Sequence, residues 1–429
     1  MTEAKAYNKQ NLSLFMKSGV YRFEDSRVVF VDPVRVLNLS YTHFRVTPSS
    51  YYSRFFESSP RVSETQRKRK RKEKKPRPPL NQREQAADQR HQRVKPLLMK
   101  AHECLLGAND LLLNLGKLRT DDRPPNLTVA SDEHSFVELG SVWQAPLFEI
   151  SLHVNQDYRL TEGSIPVQDC EKRYIQAFGS LVANETNSDM EADFLNRKYI
   201  IPKHSSFYMF VLQSSYVCLI HMWKSDLKQI HGLIPVKNEC GFNLIVIDPP
   251  WENGSANQKL KYPTLPNRYF LSLPIKRLAN ADGALVALWV TNKEKLRIFV
   301  EKDLFPKWGV KYMATHYWLK VKADGSLIGE LDLLHHKPYE CLVLGYCYGK
   351  GEDSEYLSKL KSIPDCQVFI SIPGDYSRKP PIGEMLREYI EPARCLELFA
   401  RELFCGWTSW GNEPLRFQDS RYFSLKQDF

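Results

Sequence analysis

A chain of 429 residues with 42% hydrophobic content exceeds one typical domain and can bury a substantial core, which excludes a wholly disordered or fibrous protein. Its formal net charge of +10 is concentrated in one block: residues 67–77 carry nine Lys/Arg against one acid, Glu73, which accounts for +8 and leaves the rest nearly neutral. The polar N-terminus shows no signal peptide, and the nine cysteines form no CxxC pair and no zinc-type spacing with histidine, so we expect reduced thiols of an intracellular protein and no metal site.

In chain order, Val28-Val29-Phe30-Val31 and the aromatic-rich residues 41–56 predict short strands in a small N-terminal element, residues 1–60. Among those aromatics, Tyr51, Tyr52, Phe55 and Phe56 suit core packing better than base stacking. The basic block repels itself and cannot be buried, and with Pro76, Pro78, Pro79 and the Gln/Arg-rich run behind it predicts a disordered linker over 61–96. It reads as a nuclear-import signal, a nucleic-acid tether, or both. Leucines at helical spacing in 97–118 predict one or two helices within a helical or mixed region, 97–194. The apolar-leaning stretch 207–223 is interrupted by Gln213, Ser214, Ser215 and His221 and falls short of a membrane span.

From about residue 195 to 429 the pattern alternates apolar runs with polar helical segments, as in a doubly wound α/β sheet. Strands are expected at 244–247, 284–290, 311–319, 340–345, 367–372 and 395–399, with helices at 293–302 and 383–390. The glycine fingerprint of dinucleotide-binding folds is absent, and Gly345, Gly349 and Gly351 lack the spacing of a phosphate loop.

The run Leu244-Ile245-Val246-Ile247 reads as a buried parallel strand, and it is stopped by Asp248-Pro249-Pro250-Trp251. Ligands of open α/β sheets bind at the carboxyl ends of such strands, so Asp248 emerges at the functional edge. The four residues suit an amino group on a flat ring. The carboxylate of Asp248 can accept one N–H of an exocyclic amine, and the Pro249 carbonyl the other, because consecutive prolines offer acceptors without competing donors. Trp251 can stack on the base, worth about 1–3 kcal/mol. An enzyme that alkylates such an amine must hold both hydrogens to localise its lone pair. The competing reading is a strand-ending turn with Trp251 in the core.

This stretch resembles the signature of the eukaryotic messenger-RNA-type adenine-N6 methyltransferases. Further matches follow in that family's order: Leu288-Trp289-Val290-Thr291-Asn292, His336-Lys337-Pro338-Tyr339-Glu340, Arg378-Lys379-Pro380-Pro381, Glu397-Leu398-Phe399-Ala400-Arg401 and Gly406-Trp407-Thr408-Ser409-Trp410-Gly411-Asn412-Glu413. The last three sets are most similar to the methyltransferase-like protein four branch. The resemblance implies a Rossmann-like S-adenosylmethionine-dependent domain with permuted motif order over 195–429, behind a smaller N-terminal region. It implies that Lys379 holds the methionine carboxylate, that Glu397 and Phe399 bind the cofactor from the strand end that replaces the glycine fingerprint, that Arg401, Asn412 and Glu413 contact the ribose or adenine end, and that Asp226-Leu227 borders the cofactor adenine. A substrate rim is expected from Lys259, Lys261, Arg268, His336 and Lys337. One departure stands out: Glu402, Leu403 and Phe404 follow Arg401 where the messenger-RNA enzyme places polar cofactor contacts.

The resemblance implies N6-methylation of adenine in nucleic acid, with RNA favoured. The branch points to small nuclear RNA, including 2′-O-methylated adenosine, and DNA adenine is the competing acceptor. A catalytically silent RNA-binding scaffold with a partner subunit is the reading from another class.

Overall fold

The computed structural model describes residues 2–25, 27–52, 56, 81–119, 135–154, 171–211, 227–235, 240–252, 264–333, 337–348, 363–390 and 394–426. The basic block 67–77, Phe55 and residues 212–223 lie outside the described residues. The N-terminal region contributes β1 (Val20–Arg22), β2 (Val28–Val31), β3 (Phe44–Val46), β4 (Glu149–Val154), β5 (Glu171–Gln176), β6 (Leu181–Asn184) and β7 (Met190–Phe194). There follow β8 (Arg197–Ile201), β9 (Ser205–Met209), β10 (Leu244–Ile247), β11 (Ala284–Val290) and β12 (Val310–Lys320). The last are β13 (Tyr339–Cys347), β14 (Val368–Ser371), β15 (Cys395–Leu398), β16 (Trp407–Gly411) and β17 (Phe423–Leu425).

Among the described residues, eleven of these strands make one sheet in the order β1-β2-β14-β12-β13-β11-β10-β15-β16-β9-β6. β10 lies parallel to both β11 and β15, whereas β13 is antiparallel to β11 and β12. Every residue of β10 and β11 is buried, as a continuous aliphatic run covered on both faces requires. Ile245, Ile247, Leu396 and Leu398 pack in one layer with Phe270, Trp308 and Trp410. Leu244, Val246 and Cys395 face the other layer, with Trp289, Trp318 and Trp407. The expected α/β class holds, and the second-half strands stand within one or two residues of their expected bounds.

The division of the chain needs two corrections. Residues 1–60 are not a separate element: β2 pairs in parallel with β14, Val28 opposite Val368, and so extends the main sheet. All four β2 residues are buried, which only a strand inside a covered sheet achieves. At the opposite edge β9 pairs with β16, and β6 with β9, so the sheet crosses the expected boundary at 195. The second correction concerns the linker 61–96, since a helix covers Gln82–Gly107. Val94, Leu98, Ala101 and Leu105 form its buried stripe at helical spacing. Its charged residues meet partners: Arg90 pairs with Glu294 at 2.9 Å and Glu301 at 3.1 Å, and Lys95 with Asp332 at 2.7 Å.

β4, β5, β7 and β8 form a smaller antiparallel sheet, and β3 pairs with β17. Among the described residues no helix is long and apolar enough to cross a membrane.

The end of β16 lies tight against the segment after β15. A Cβ on Gly411 would stand 2.5 Å from the Ala400 carbonyl oxygen, a backbone atom that cannot swing away. Gly411→Ala is expected to lower stability by about 1–3 kcal/mol, the usual cost of overpacking, read as a lower unfolding midpoint in urea.

Candidate active site at the sheet switch point

β10 continues to β11 on one side, while the chain returns on its other side as β15. Strand order therefore reverses between β10 and β15, which opens a crevice beyond their carboxyl ends. Asp248 leaves β10 at that crevice, its backbone N–H donating to the Leu398 carbonyl at 3.3 Å. The turn behind it is tight. The Pro249 carbonyl accepts the Trp251 N–H at 2.7 Å, and the Pro250 carbonyl accepts from Leu265 at 2.9 Å. Pro249 keeps a second lone pair for a ligand donor.

Trp251 differs from its expected role as a stacking plate. It is 7% exposed, its Nε1 donates to the Trp289 carbonyl at 2.8 Å, and its ring meets Phe270 edge-on at 5.1 Å. The indole anchors the turn to the core, because β11 offers it an acceptor and the segment Asn267–Ser272 an aromatic wall.

The antiparallel course of β13 brings Glu340, near its start, to the same edge as the ends of β10 and β11. Lys379, carried by the loop after β14, lies 3.3 Å from Asp248 Oδ1 and 3.3 Å from Glu340 Oε2. Lys320, the last residue of β12, pairs with the other oxygen of Glu340. Burial pushes the Glu340 carboxyl up, but the charges of Lys320 and Lys379 outweigh it and hold its pKa down to about 2. Burial pulls Lys379 down, but Asp248 and Glu340 more than offset this, and its pKa lies above the ordinary lysine value. Glu397, within β15, has no such cation at contact among the described residues. Burial and then the charge of Asp248 push its pKa up to about 8, with Arg401 opposing, and its Oε2 is buried without a hydrogen-bond partner.

Asp248, Lys379 and Glu397 border a cavity of about 310 Å³, near the lower end of the about 300–1,000 Å³ typical of ligand pockets. Asp248, Lys379, Glu397, Phe399 and Arg401 line it, with Val246 and Trp289 as apolar wall. Phe399 takes a left-handed backbone, φ 63°, immediately after β15, which turns the chain sharply at the cavity edge. Arg401 donates to the Ser377 carbonyl at 3.2 Å.

The departure at residue 402 has a structural explanation. Arg378 Nε donates to Glu402 at 3.0 Å, and a second guanidinium nitrogen also pairs with that carboxylate, all buried. The guanidinium lies 4.4 Å from the Tyr51 ring centre and 4.3 Å from that of Phe417. Burial lowers the Arg378 pKa to about 10. Glu402 thus holds the residue next to Lys379, and Tyr51 is the expected core aromatic, serving the loop beside the site.

Leu227 is 4% exposed in the core with Phe210 and Trp410, and does not line the cavity. Asn412 and Glu413 follow β16 half-buried and lie outside the cavity lining. The Arg268 guanidinium lies 5.5 Å from the Tyr269 ring centre, and Lys337 is half-buried, its pKa lowered chiefly by burial. Asp226, Lys259, Lys261 and His336 lie outside the described residues. Sequence reasoning missed Glu340, Lys320, Arg378 and Glu402 as members of the site. Only Glu340 and Arg378 carried a signal, being parts of motifs whose other members were assigned. Among the described residues no group of three or more His, Cys, Asp or Glu is placed to hold a metal ion.

Comparison with known proteins points the same way. Residues 242–413 match the family model described as MT-A70. The chain is 38% identical over 253 residues to a mouse protein named N(6)-adenine-specific methyltransferase METTL4, covering 57% of this chain and 49% of that protein. It is 36% identical over 188 residues to the N6-methyladenosine RNA methyltransferase MTA1 of Pyricularia oryzae, covering 42% of this chain and 48% of the relative. It is also 36% identical over 189 residues to a Caenorhabditis elegans protein named DNA N6-methyl methyltransferase, covering 43% and 48%. The chain spans about half the length of these curated relatives.

The raised Glu397 pKa has a thermodynamic consequence. The folded state binds this proton up to about pH 8, whereas the unfolded chain releases it near 4.5, so ionising Glu397 lowers stability as pH rises across that window. Glu397→Gln removes the ionisation. Thermal melts are expected to show the variant gaining on wild type at pH 9 relative to pH 6; an unchanged difference would place the Glu397 carboxyl in a wet or paired setting.

Proposed function

We propose, from the premise that this chain belongs to the MT-A70 family of adenine-N6 methyltransferases through residues 242–413, that it transfers a methyl group from S-adenosylmethionine to the N6 amine of adenine in nucleic acid. The observation that carries the reading is Asp248 at the carboxyl end of β10, at the switch point, with Lys379 3.3 Å away. Both belong to motifs that follow in the family's order.

The residues present fit the cofactor. Lys379 is a point charge suited to its carboxylate, and the orphaned Glu397 Oε2 offers a buried polar partner at the same cavity. Arg401, which lines the same cavity, would serve the ribose or adenine end. When bound, S-adenosylmethionine supplies an electrophilic methyl on a sulfonium. The protein's own part is orientation: Asp248 and the free lone pair of the Pro249 carbonyl accept the two N6 hydrogens and turn the nitrogen lone pair toward the methyl. The target base must come from a single strand or be flipped out of a duplex. Trp251 keeps the Asp248 turn fixed through its bond to Trp289.

RNA is the favoured acceptor, small nuclear RNA and 2′-O-methylated adenosine included, in keeping with the naming of the fungal relative. The naming of the nematode relative keeps DNA as the competitor. The basic block 67–77 supports a nuclear location and contact with phosphates. Against the scaffold reading stand the intact Asp248 turn and the cation beside it.

Methyl transfer from labelled S-adenosylmethionine to matched RNA and DNA oligonucleotides, with products read as nucleosides by mass spectrometry, tests this directly. N6-methyladenosine or its deoxy counterpart is expected from one of the two. Asp248→Ala should fold normally and lose about 100- to 10,000-fold in rate, the range for a positioned catalytic group. Turnover retained in that variant would overturn the assignment.

A further inference from the structure

Lys320 lies outside every motif that carries the family resemblance, yet it closes the charge arrangement at the site. It pairs with Glu340 Oε1, Lys379 reaches Glu340 Oε2 at 3.3 Å, and Asp248 lies 3.3 Å beyond Lys379. The charges alternate in one row: Lys320, Glu340, Lys379, Asp248. All four side chains are largely enclosed, between 14% and 19% exposed. Beneath them runs an indole floor, with Lys320 Nζ 4.3 Å from the Trp318 ring centre and Lys379 Nζ 5.6 Å from that of Trp289. The two indoles meet edge-to-face at 5.8 Å, and Trp318 Nε1 donates to Ser371 Oγ at 2.7 Å, which fixes the floor in place.

The row has a simple requirement. Two partly desolvated carboxylates need two cations if both are to stay ionised. Without Lys320, Glu340 and Asp248 would compete for the one ammonium of Lys379. That ammonium is also the group available to a cofactor carboxylate. We propose that Lys320 is a positioning residue which neutralises Glu340 and so leaves Lys379 to serve Asp248 and the carboxylate of the methyl donor; this rests on the functional reading above. A purely structural ion pair makes a different prediction: loss of Lys320 would lower stability and leave donor affinity and its pH dependence unchanged.

The sign of the pH effect follows from the groups facing Glu340: Lys320 from β12 and Lys379 from the loop after β14. Asp248 flanks Lys379 on its far side, and Glu397 and Arg401 lie along the same cavity. Glu340 is held ionised by the two lysines against its burial. Removing Lys320 raises the Glu340 pKa by about 1–3 pH units, which leaves it ionised and competing for Lys379 at neutral pH, while protonation toward the acid end of the range relieves that competition.

The test is calorimetric titration of S-adenosylmethionine into the full chain from pH 5 to 8, for wild type, Lys320→Met, Lys320→Arg and the double variant Lys320→Met with Glu340→Gln. Lys320→Met is expected to bind about tenfold more weakly at pH 8, where Glu340 is ionised and draws on Lys379, with a smaller loss toward pH 5. Lys320→Arg should stay close to wild type. The double variant, which deletes both charges of the pair, should recover the wild-type pH dependence of donor affinity even where Lys320→Met folds poorly. An unmoved pH profile in Lys320→Met, or a uniform loss that neither Arg nor the double variant reverses, overturns the positioning role. Wild-type chain that binds no donor contradicts the functional reading instead, and this inference with it.

Discussion

The ammonium of Lys379 sits between two carboxylates in a largely enclosed crevice, and the neighbouring structure holds it there. Asp248 and Glu340 each approach it at 3.3 Å from different strands. Taken singly, a buried carboxylate protonates and a buried lysine sheds its proton; together they hold each other charged. The neighbouring residue makes this arrangement rigid. Arg378 is locked by Glu402 and flanked by Tyr51 and Phe417, so the loop that carries Lys379 is fastened to the N-terminal region and to the last part of the chain. Breaking one side of a buried pair of this kind typically costs about 3–5 kcal/mol, more than most single contacts provide.

The sheet explains why these residues meet. Asp248 and Glu397 come from adjacent parallel strands on either side of the strand-order reversal, and β13 runs against them, which delivers Glu340 to the same edge from the opposite chain direction. The N-terminal region is part of this frame rather than an appendage. β1 and β2 extend one flank, β6 and β9 the other, and the helix Gln82–Gly107 is tied by Arg90 and His91 to the segments at 294–301 and Tyr339, next to Glu340.

Much of the second half was legible because its strands are buried on both faces. Leu244–Ile247 and Ala284–Val290 are unbroken apolar runs with polar punctuation, and such runs need no partner to be recognised. Asp248, Lys379, Glu397, Phe399 and Arg401 were found from motif order, and the structure gathers them around one cavity. Pairing across the chain was illegible by the same logic. Nothing local in Val28–Val31 announces Val368 as its neighbour, and nothing in Glu402 announces Arg378. The Gln/Arg-rich start of the long helix looked like linker because its acids, Glu294, Glu301 and Asp332, lie some 200 residues away. Trp251 misled for a related reason: an indole after a proline turn suits a base or a core equally well, and only the position of the Trp289 carbonyl decides.

A crevice built around one shared lysine makes a sharp claim about the methyl donor, and equilibrium binding of S-adenosylmethionine to wild type and to Lys379→Met tests it without reference to the acceptor. The account requires one-to-one binding in wild type and at least about a tenfold loss in the variant, since a charge-assisted bond in a partly buried site contributes about 1.5–3 kcal/mol. Equal affinity in the two proteins, with both folded, would contradict it.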